Sequence, residues 1–292
     1  MLLVARLAPC LSHSLSTASK LPPRLQAPLN LLVARSGTGY TQGVIADIGA
    51  DHGILSQAIL DKQAPSKDAH VHVHAVELSR LAYDTGIGQL QGHVEGLSTH
   101  LGDGLYVLVE QGLAVDAVVV TGIGAPGIRR IVNGAALRKV GCTQVIVQPW
   151  PPNLIPLLAL HRSLEESGFL HHEQVITKHG KHVSITSSFV NAPSSTPSAA
   201  SVPSGHGRGL EDTTQACSLH GVLSRWPLRR HLGNCSANVH DAILYRTYLQ
   251  KNRVPLAAAM FHGYGGQVAV TAQELQLTVE ELDSQLKEGE VH

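Results

Sequence analysis

The sequence predicts an α/β protein: a doubly wound, mostly parallel sheet that closes with an antiparallel hairpin, followed by a small C-terminal helical region. Strand-like apolar runs alternate with helix-like stretches of about 10 to 15 residues, the spacing of βαβ units. The runs 118–120 (VVV) and 145–147 (VIV) are apolar without interruption, as strands covered on both faces should be. Most informative is VIADIGADHGILS at residues 44–56. There a hydrophobic strand ends in Asp47-Ile48-Gly49 and turns through Ala50-Asp51-His52-Gly53 straight into a helix. Such a strand delivers a carboxylate to its carboxyl end, Gly49 lets a ligand approach the backbone, and the helix start offers free N–H groups. The alternative is an ordinary strand-to-helix turn.

Taken in order, strands are expected at residues 44–48, 70–77, 115–121 and 143–148, with a weaker one near 98–101. A terminal hairpin is expected over 174–190, turning at His179-Gly180-Lys181. Helices are expected at 54–62, 79–91, 128–140 and 153–167. The first 20 residues read as an organellar targeting segment. No Asp or Glu occurs before Asp47, while Arg6, Lys20, Arg24 and Arg35 and several serines are present, as in mitochondrial or chloroplast transit peptides. A disordered extension or a mispredicted start, with the protein in the cytoplasm, is the alternative. The folded domain is expected over 21–190. Residues 191–223, rich in Ser, Pro and Gly, read as a linker, and 224–292 as a helical region. In that region Val268, Ala272, Leu275, Val279, Leu282 and Leu286 recur at alternating spacings of four and three, a coiled-coil-like seam. It serves either to grip a partner, a second copy included, or to pack on its own domain.

Composition removes several classes. No apolar run reaches the roughly 18 to 20 residues that span a membrane. The four cysteines lack CxxC spacing, which argues against a zinc site and a disulfide framework. Net charge is zero with His neutral, so no global basic field advertises nucleic acid. His70, His72 and His74 share one face of a strand, but without cysteines or acids at ligand spacing no metal is expected.

A literal GxGxxG occurs at Gly122–Gly127, but it follows the fourth strand. For a nicotinamide cofactor it should follow the first strand, with an acid about 20 residues on. No acid appears between Asp116 and Glu165, which disfavours a dehydrogenase. The acids present fall where S-adenosyl-L-methionine needs them. Asp47 and Gly49 end the first strand near the methionine moiety, and Glu77 ends the second, where a carboxylate accepts both ribose hydroxyls. Asp103, followed by Gly104, ends the third, placed to accept from the adenine amino group. Taken singly, Glu77 and Asp103 also read as helix N-caps.

These segments together resemble the bacterial tRNA (adenine(22)-N1)-methyltransferase family. Its members carry DIG-(S/T)-DHAYLP, an acidic second-strand end, a GDGL turn, an AGMGG turn and an LQPN strand end. The chain reads DIGADHGILS, AVE at 75–77, GDGL at 102–105, TGIGAPG at 121–127 and VQP at 147–149, in order over about 21–190. The resemblance implies a Rossmann-like class I methyltransferase sheet, S-adenosyl-L-methionine as cofactor and tRNA as substrate. It also implies a C-terminal arm on tRNA. N1 of adenine lies on the Watson–Crick edge, so the base must be unpaired or flipped out. Its methylation leaves a cation that a nearby carboxylate would stabilise. Asp51 is the candidate, with His52 as orienter or proton carrier. The fourth-strand turn Thr121-Gly122-Ile123-Gly124 would form the floor beneath the base, with Gly122 on the cofactor side. The chain departs from the family at Gly53-Ile54, at GIGAPG and at Gln148-Pro149-Trp150, where Trp150 either stacks on a base or packs internally. Arg129, Arg130, Arg138 and Lys139 form either an RNA-facing patch or a solvated helix face. Two further readings stay open: a catalytically impaired RNA-binding protein, and an NAD-linked oxidoreductase.

Overall fold

The structure is a computed structural model that describes residues 21–34, 42–62, 70–180, 182–191, 247, 248 and 251. The segments expected as a targeting sequence (residues 1–20), as a linker (beyond residue 191) and as a heptad seam (268–286) lie outside the described residues.

Seven strands form one sheet: β1 (Gln42–Ile48), β2 (His70–Glu77), β3 (Leu97–Leu101), β4 (Ala117–Thr121), β5 (Gln144–Gln148), β6 (Phe169–His179) and β7 (His182–Asn191). Their order is β3-β2-β1-β4-β5-β7-β6, with β7 antiparallel to both neighbours and the rest parallel. The helices are α1 (Pro23–Ala34), α2 (Ile54–Asp61), α3 (Arg80–Thr85), α4 (Leu105–Glu110), α5 (Ala125–Ile131), α6 (Gly134–Lys139) and α7 (Leu154–Glu166), with a 3-10 turn at Ile87–Leu90.

Strand alternation sorts the apolar residues into two cores. Ala46, Ile48, Val118, Val120, Val145 and Val147 meet α4, α5, α6 and α7 through Leu108, Ile128, Leu137 and Leu160. On the opposite face, Ile45, Val73, Val119 and Ile146 meet α1 and α2 through Leu29, Leu32, Leu55 and Ile59. Val118, Val119 and Val120 thus serve both cores, which is why that run has no polar break.

Four expectations are corrected. The helix expected over 79–91 breaks at Gly86, where a Cβ would overlap the Asp51 carbonyl oxygen, so the chain continues as a 3-10 turn. The helix expected over 128–140 is two helices, because the Asn133 side chain accepts from the Ala136 N–H (3.0 Å) and starts α6 anew. α1 was not expected, since Pro28 lies inside it and Pro removes a helical hydrogen bond. It forms because Leu25, Leu29 and Leu32 bury one stripe against the sheet, and because Pro23 sits at the first helical position, where its missing N–H costs nothing. The last strand pair is longer than expected, β6 starting at Phe169 with an irregularity between His171 and Glu173. His72 and His74 do share a face, and His74 Nδ1 lies 3.0 Å from His100 Nε2 of β3. Burial, with His72 and His100 alongside, pushes His74 down to about 4. Among the described residues no cluster of three or more His, Cys, Asp or Glu side chains is arranged to hold a metal ion, and no helix is long and apolar enough to cross a membrane.

Candidate active site

Four parallel strands end side by side, and the loops that follow them enclose a cavity of about 630 Å³. This is where open α/β sheets bind ligands. Asp47, Gly49, Asp51, His52, Glu77, Asp103, Gly104, Gly122 and Ile123 all line it, so the structure brings together nine of the eleven residues singled out in the sequence. The other two, Gly124 and Trp150, do not line it.

The first turn is tightly made. Gly49 has φ +76°, a backbone conformation that side chains rarely adopt, and a Cβ there would press on Ile123 Cδ1 at 2.9 Å across the β1 and β4 turns. Its N–H and that of Ala50 both donate to the Val76 carbonyl (2.9 and 3.1 Å). Asp51 adopts φ +50°, a left-handed conformation uncommon for a residue with a side chain. Its carbonyl accepts from the Ile87 N–H (2.9 Å), which holds the strained turn over the 3-10 segment. The Asp51 carboxylate itself stays exposed, 3.7 Å from His52 Nε2. Asp47 differs sharply. It is 2% exposed and accepts from the Ser56 hydroxyl (2.6 Å) of α2. Burial pushes its carboxyl up to about 6, opposed by that hydrogen bond. Asp47 therefore fixes α2 against β1 beneath the turn.

The next two acids are not helix caps. Ser79 caps α3 by accepting from the Ala82 N–H (3.3 Å), and Gly104 occupies the cap position of α4. Glu77 instead accepts from the N–H groups of Ser79 (2.8 Å) and Asp51 (3.3 Å), one on each oxygen. A carboxylate has about four acceptor positions, so two remain for a ligand. Asp103 is held bidentately by Arg130 of α5, at 2.6 and 3.0 Å. Arg130 was expected on an RNA-facing patch with Arg129, Arg138 and Lys139. It lines the cavity and is paired, whereas the other three are exposed at the ends of α5 and α6. No local sequence signal links Asp103 and Arg130, which are 27 residues apart.

The β4 turn is tied to β5. Gly122 donates to the Gln148 carbonyl (3.1 Å) and Trp150 donates from its backbone to the Ile123 carbonyl (3.0 Å). Gln148 is buried, and its amide donates to the Arg24 carbonyl and to Thr186 Oγ1, both at 2.7 Å. That pins the start of α1 over the strand ends and brings Arg24 into the cavity wall, a residue the sequence reading left in the N-terminal basic tract. The apolar spacing Leu25, Leu29, Leu32 was the available signal for α1. Trp150 is 42% exposed and packs edge-on against His182, ring centroids 5.1 Å apart, beside the β4 turn.

This architecture defines a Rossmann-like α/β protein with a ligand cleft at the carboxyl edge of its sheet. Residues 36–185, just over half of the chain, match the family model described as a methyltransferase domain, and the chain belongs to that family. No curated protein matches the sequence. Among solved structures, the chain is similar to a protein from Listeria monocytogenes serotype 4b (TM-score 0.57, 18% identity, 91% of this chain and 100% of that one). It is also similar to the tRNA (m1A22) methyltransferase TrmK of B. subtilis (0.53, 18%, 91% and 99%). A third is the M. capricolum TrmK in complex with S-adenosyl-homocysteine (0.54, 15%, 91% and 98%). At these identities the likeness establishes the fold.

Proposed function

We propose that this protein transfers a methyl group from S-adenosylmethionine to N1 of an adenine in tRNA. The observation that carries the proposal is the row of carboxylates at successive strand ends, Asp47, Glu77 and Asp103, around one glycine-lined cavity in a methyltransferase domain. S-adenosylmethionine fits the residues present: Glu77 keeps acceptor capacity for two ribose hydroxyls, and Gly49 and Gly122 have positive φ and no side chain where a ligand must pass. Bound there, it supplies an electrophilic methyl group.

The chain's own residues then have mainly to position and to stabilise charge. Adenine N1 carries an in-plane lone pair and is unprotonated at neutral pH, so no strong base is needed. Positive charge grows on the base as the methyl arrives. The exposed Asp51 carboxylate, held at φ +50° on the cavity wall, faces that charge without having been neutralised by a buried partner. His52 beside it orients the carboxylate or carries a proton. Ile123 forms the floor under the base. Gly124 and Trp150, outside the cavity, belong to the approach, where an exposed indole offers a stacking surface to an unpaired base. The tRNA assignment is supported by the similar fold of two TrmK proteins and by the motif order of the chain.

The test is incubation of the full chain with methyl-labelled S-adenosylmethionine and unmodified tRNA, followed by nucleoside analysis. Labelled 1-methyladenosine is expected. Label on another nucleoside would keep the methyltransferase and discard the N1 assignment, and a bound cofactor with no label in RNA would sink the catalytic reading. The acid-free N-terminal segment is proposed as a mitochondrial or chloroplast address; diffuse cytosolic fluorescence of a fusion carrying residues 1–46 would refute it.

A further inference from the structure

Among the described residues Asp51 is the one non-glycine with a positive φ. A residue with a side chain stays in that region only where its surroundings fix it, and such residues gather at active sites. Both backbone polar groups of Asp51 are held. Its N–H donates to Glu77 Oε2 (3.3 Å), and its carbonyl accepts from the Ile87 N–H (2.9 Å). The second of these contacts exists because a helix stops early.

In an uninterrupted α3 the Ile87 N–H would donate to the Tyr83 carbonyl, four residues back. Instead the Gly86 N–H takes that carbonyl (3.3 Å), which releases the Ile87 N–H for Asp51. The two segments meet because residue 86 has no side chain. A Cβ there would overlap the Asp51 carbonyl oxygen and lie 2.7 Å from the Ala82 carbonyl oxygen. The 3-10 turn beyond it is anchored: Ile87 is fully buried in the core that holds Leu55 and Ile59 of α2, and Leu90 packs on that core. Both side chains also bear on the chain two residues past Asp51, where a Cβ on Gly53 would meet Leu90 Cδ1 at 2.7 Å and Ile87 Cγ2 at 3.2 Å. Gly86, Ile87 and Leu90 do not line the cavity, whereas Asp51 does.

We infer that the 3-10 turn, admitted by the break at Gly86, is the element that aims the Asp51 carboxylate at the reacting base, an inference that rests on the role proposed for Asp51 above. Gly86 and Leu90 are positioning residues. They touch neither cofactor nor base and act through the backbone of Asp51. A carboxylate that stabilises developing charge does so only from the right place, and a shift of about 1 Å can cost on the order of 10²-fold in rate. The break in α3 therefore gives up helical hydrogen bonding to fix one side chain at the cavity wall.

The experiment measures single-turnover methyl transfer to unmodified tRNA and calorimetric affinity for S-adenosylhomocysteine, with the full-length protein and with Gly86→Ala, Leu90→Ala, Asp51→Asn and the Asp51→Asn/Gly86→Ala double variant. Gly86→Ala should slow transfer roughly 10- to 100-fold and Leu90→Ala about three- to tenfold, each with S-adenosylhomocysteine affinity within about threefold of wild type. In the Asp51→Asn background, Gly86→Ala should cost less than about a further twofold, because the carboxylate it aims is already gone. A full further loss in that background would make Gly86 a structural residue and overturn the inference. Undiminished transfer by Gly86→Ala, or a loss of cofactor affinity as large as the loss of rate, would also overturn it. Should Gly86→Ala fail to fold, Leu90→Ala decides: slower transfer with cofactor affinity kept supports the inference, and unchanged transfer overturns it. A wild-type protein without transfer, or an Asp51→Asn protein with full transfer, refutes the reading of Asp51 itself, and neither result involves Gly86 or Leu90.

Discussion

The two halves of the cleft are built by different means. After β1, β2 and β3 the residues that line the cleft come in short motifs: Asp47-Ile48-Gly49, Glu77 with the Ser79 N–H donating to it, and Asp103-Gly104. Neighbouring turns are joined where Gly49 and Ala50 donate to Val76. After β4 and β5 the wall is made from distant contacts. Gln148 reaches Arg24 across 124 positions of sequence, and Trp150 packs on His182. The first half sits inside the cavity with its acids, whereas Gly124 and Trp150 of the second remain outside. The difference teaches that this chain writes the acid-bearing end of its cleft in short motifs and the β4–β5 end in longer-range packing.

Substitutions can break or sharpen that contrast. The largest effect is expected at Asp51. Asn keeps its shape and tolerates the left-handed backbone, so Asp51→Asn should leave S-adenosylhomocysteine affinity within about threefold. It should lower single-turnover methyl transfer by roughly 10² to 10³. Undiminished turnover would remove Asp51 from the chemistry.

Next comes Asp47, whose effect is on stability. Its carboxyl rises from 3.8 to about 6 in the fold, so the native state binds more protons than the unfolded chain between these values. Stability contributed at this site falls as pH rises through that window, and the cost of burying the charge is complete above it. Asp47→Asn should therefore be at least as stable as wild type at pH 7, by up to a few kcal/mol. His74 runs the opposite way. Its value falls from 6.5 to about 4, so the fold loses stability as pH drops through that range. With Asp47 removed, urea midpoints should rise more steeply between pH 4 and 6.5 than in wild type. A variant markedly less stable than wild type at pH 7 would contradict the buried-charge account.

Within the cofactor half, Glu77→Gln should weaken S-adenosylhomocysteine by about 10- to 100-fold in calorimetry, through loss of charge-assisted acceptance from ribose. In the β4–β5 half, Trp150→Ala should leave that affinity alone and, on the proposed function, weaken tRNA binding by about fivefold or more, measured by filter binding. If Trp150→Ala instead loses the cofactor, the two halves are not separable. The smallest change is expected from Arg130→Gln. Its pair with Asp103 is exposed, so the melting temperature should move by only a degree or two, and cofactor affinity by a few-fold.

Much of the fold was legible because periodicity reports burial. The apolar runs at β4 and β5 announce a sheet covered on both sides, and the two cores bear this out. Helix breaks were not legible. Gly86 looks like any glycine until the Asp51 carbonyl is found against it, and Asn133 announces a cap only once α5 is seen to stop. The proline in α1 hid a helix that tertiary burial supports, and with it Arg24. In the site, acid-x-Gly strand ends were readable from sequence alone. The engagement of Asp103 by Arg130 and the anchoring of α1 by Gln148 were not, since each joins segments that no local pattern relates.

The most direct measurement is a pair of calorimetric titrations of the wild-type protein, one with S-adenosylhomocysteine and one with NAD. The strand-end acids and the misplaced GxGxxG predict a single saturable site for S-adenosylhomocysteine and none for NAD. Saturable NAD binding without S-adenosylhomocysteine binding would contradict the account, because the first-strand turn would then be doing what only a displaced glycine motif after β4 suggests.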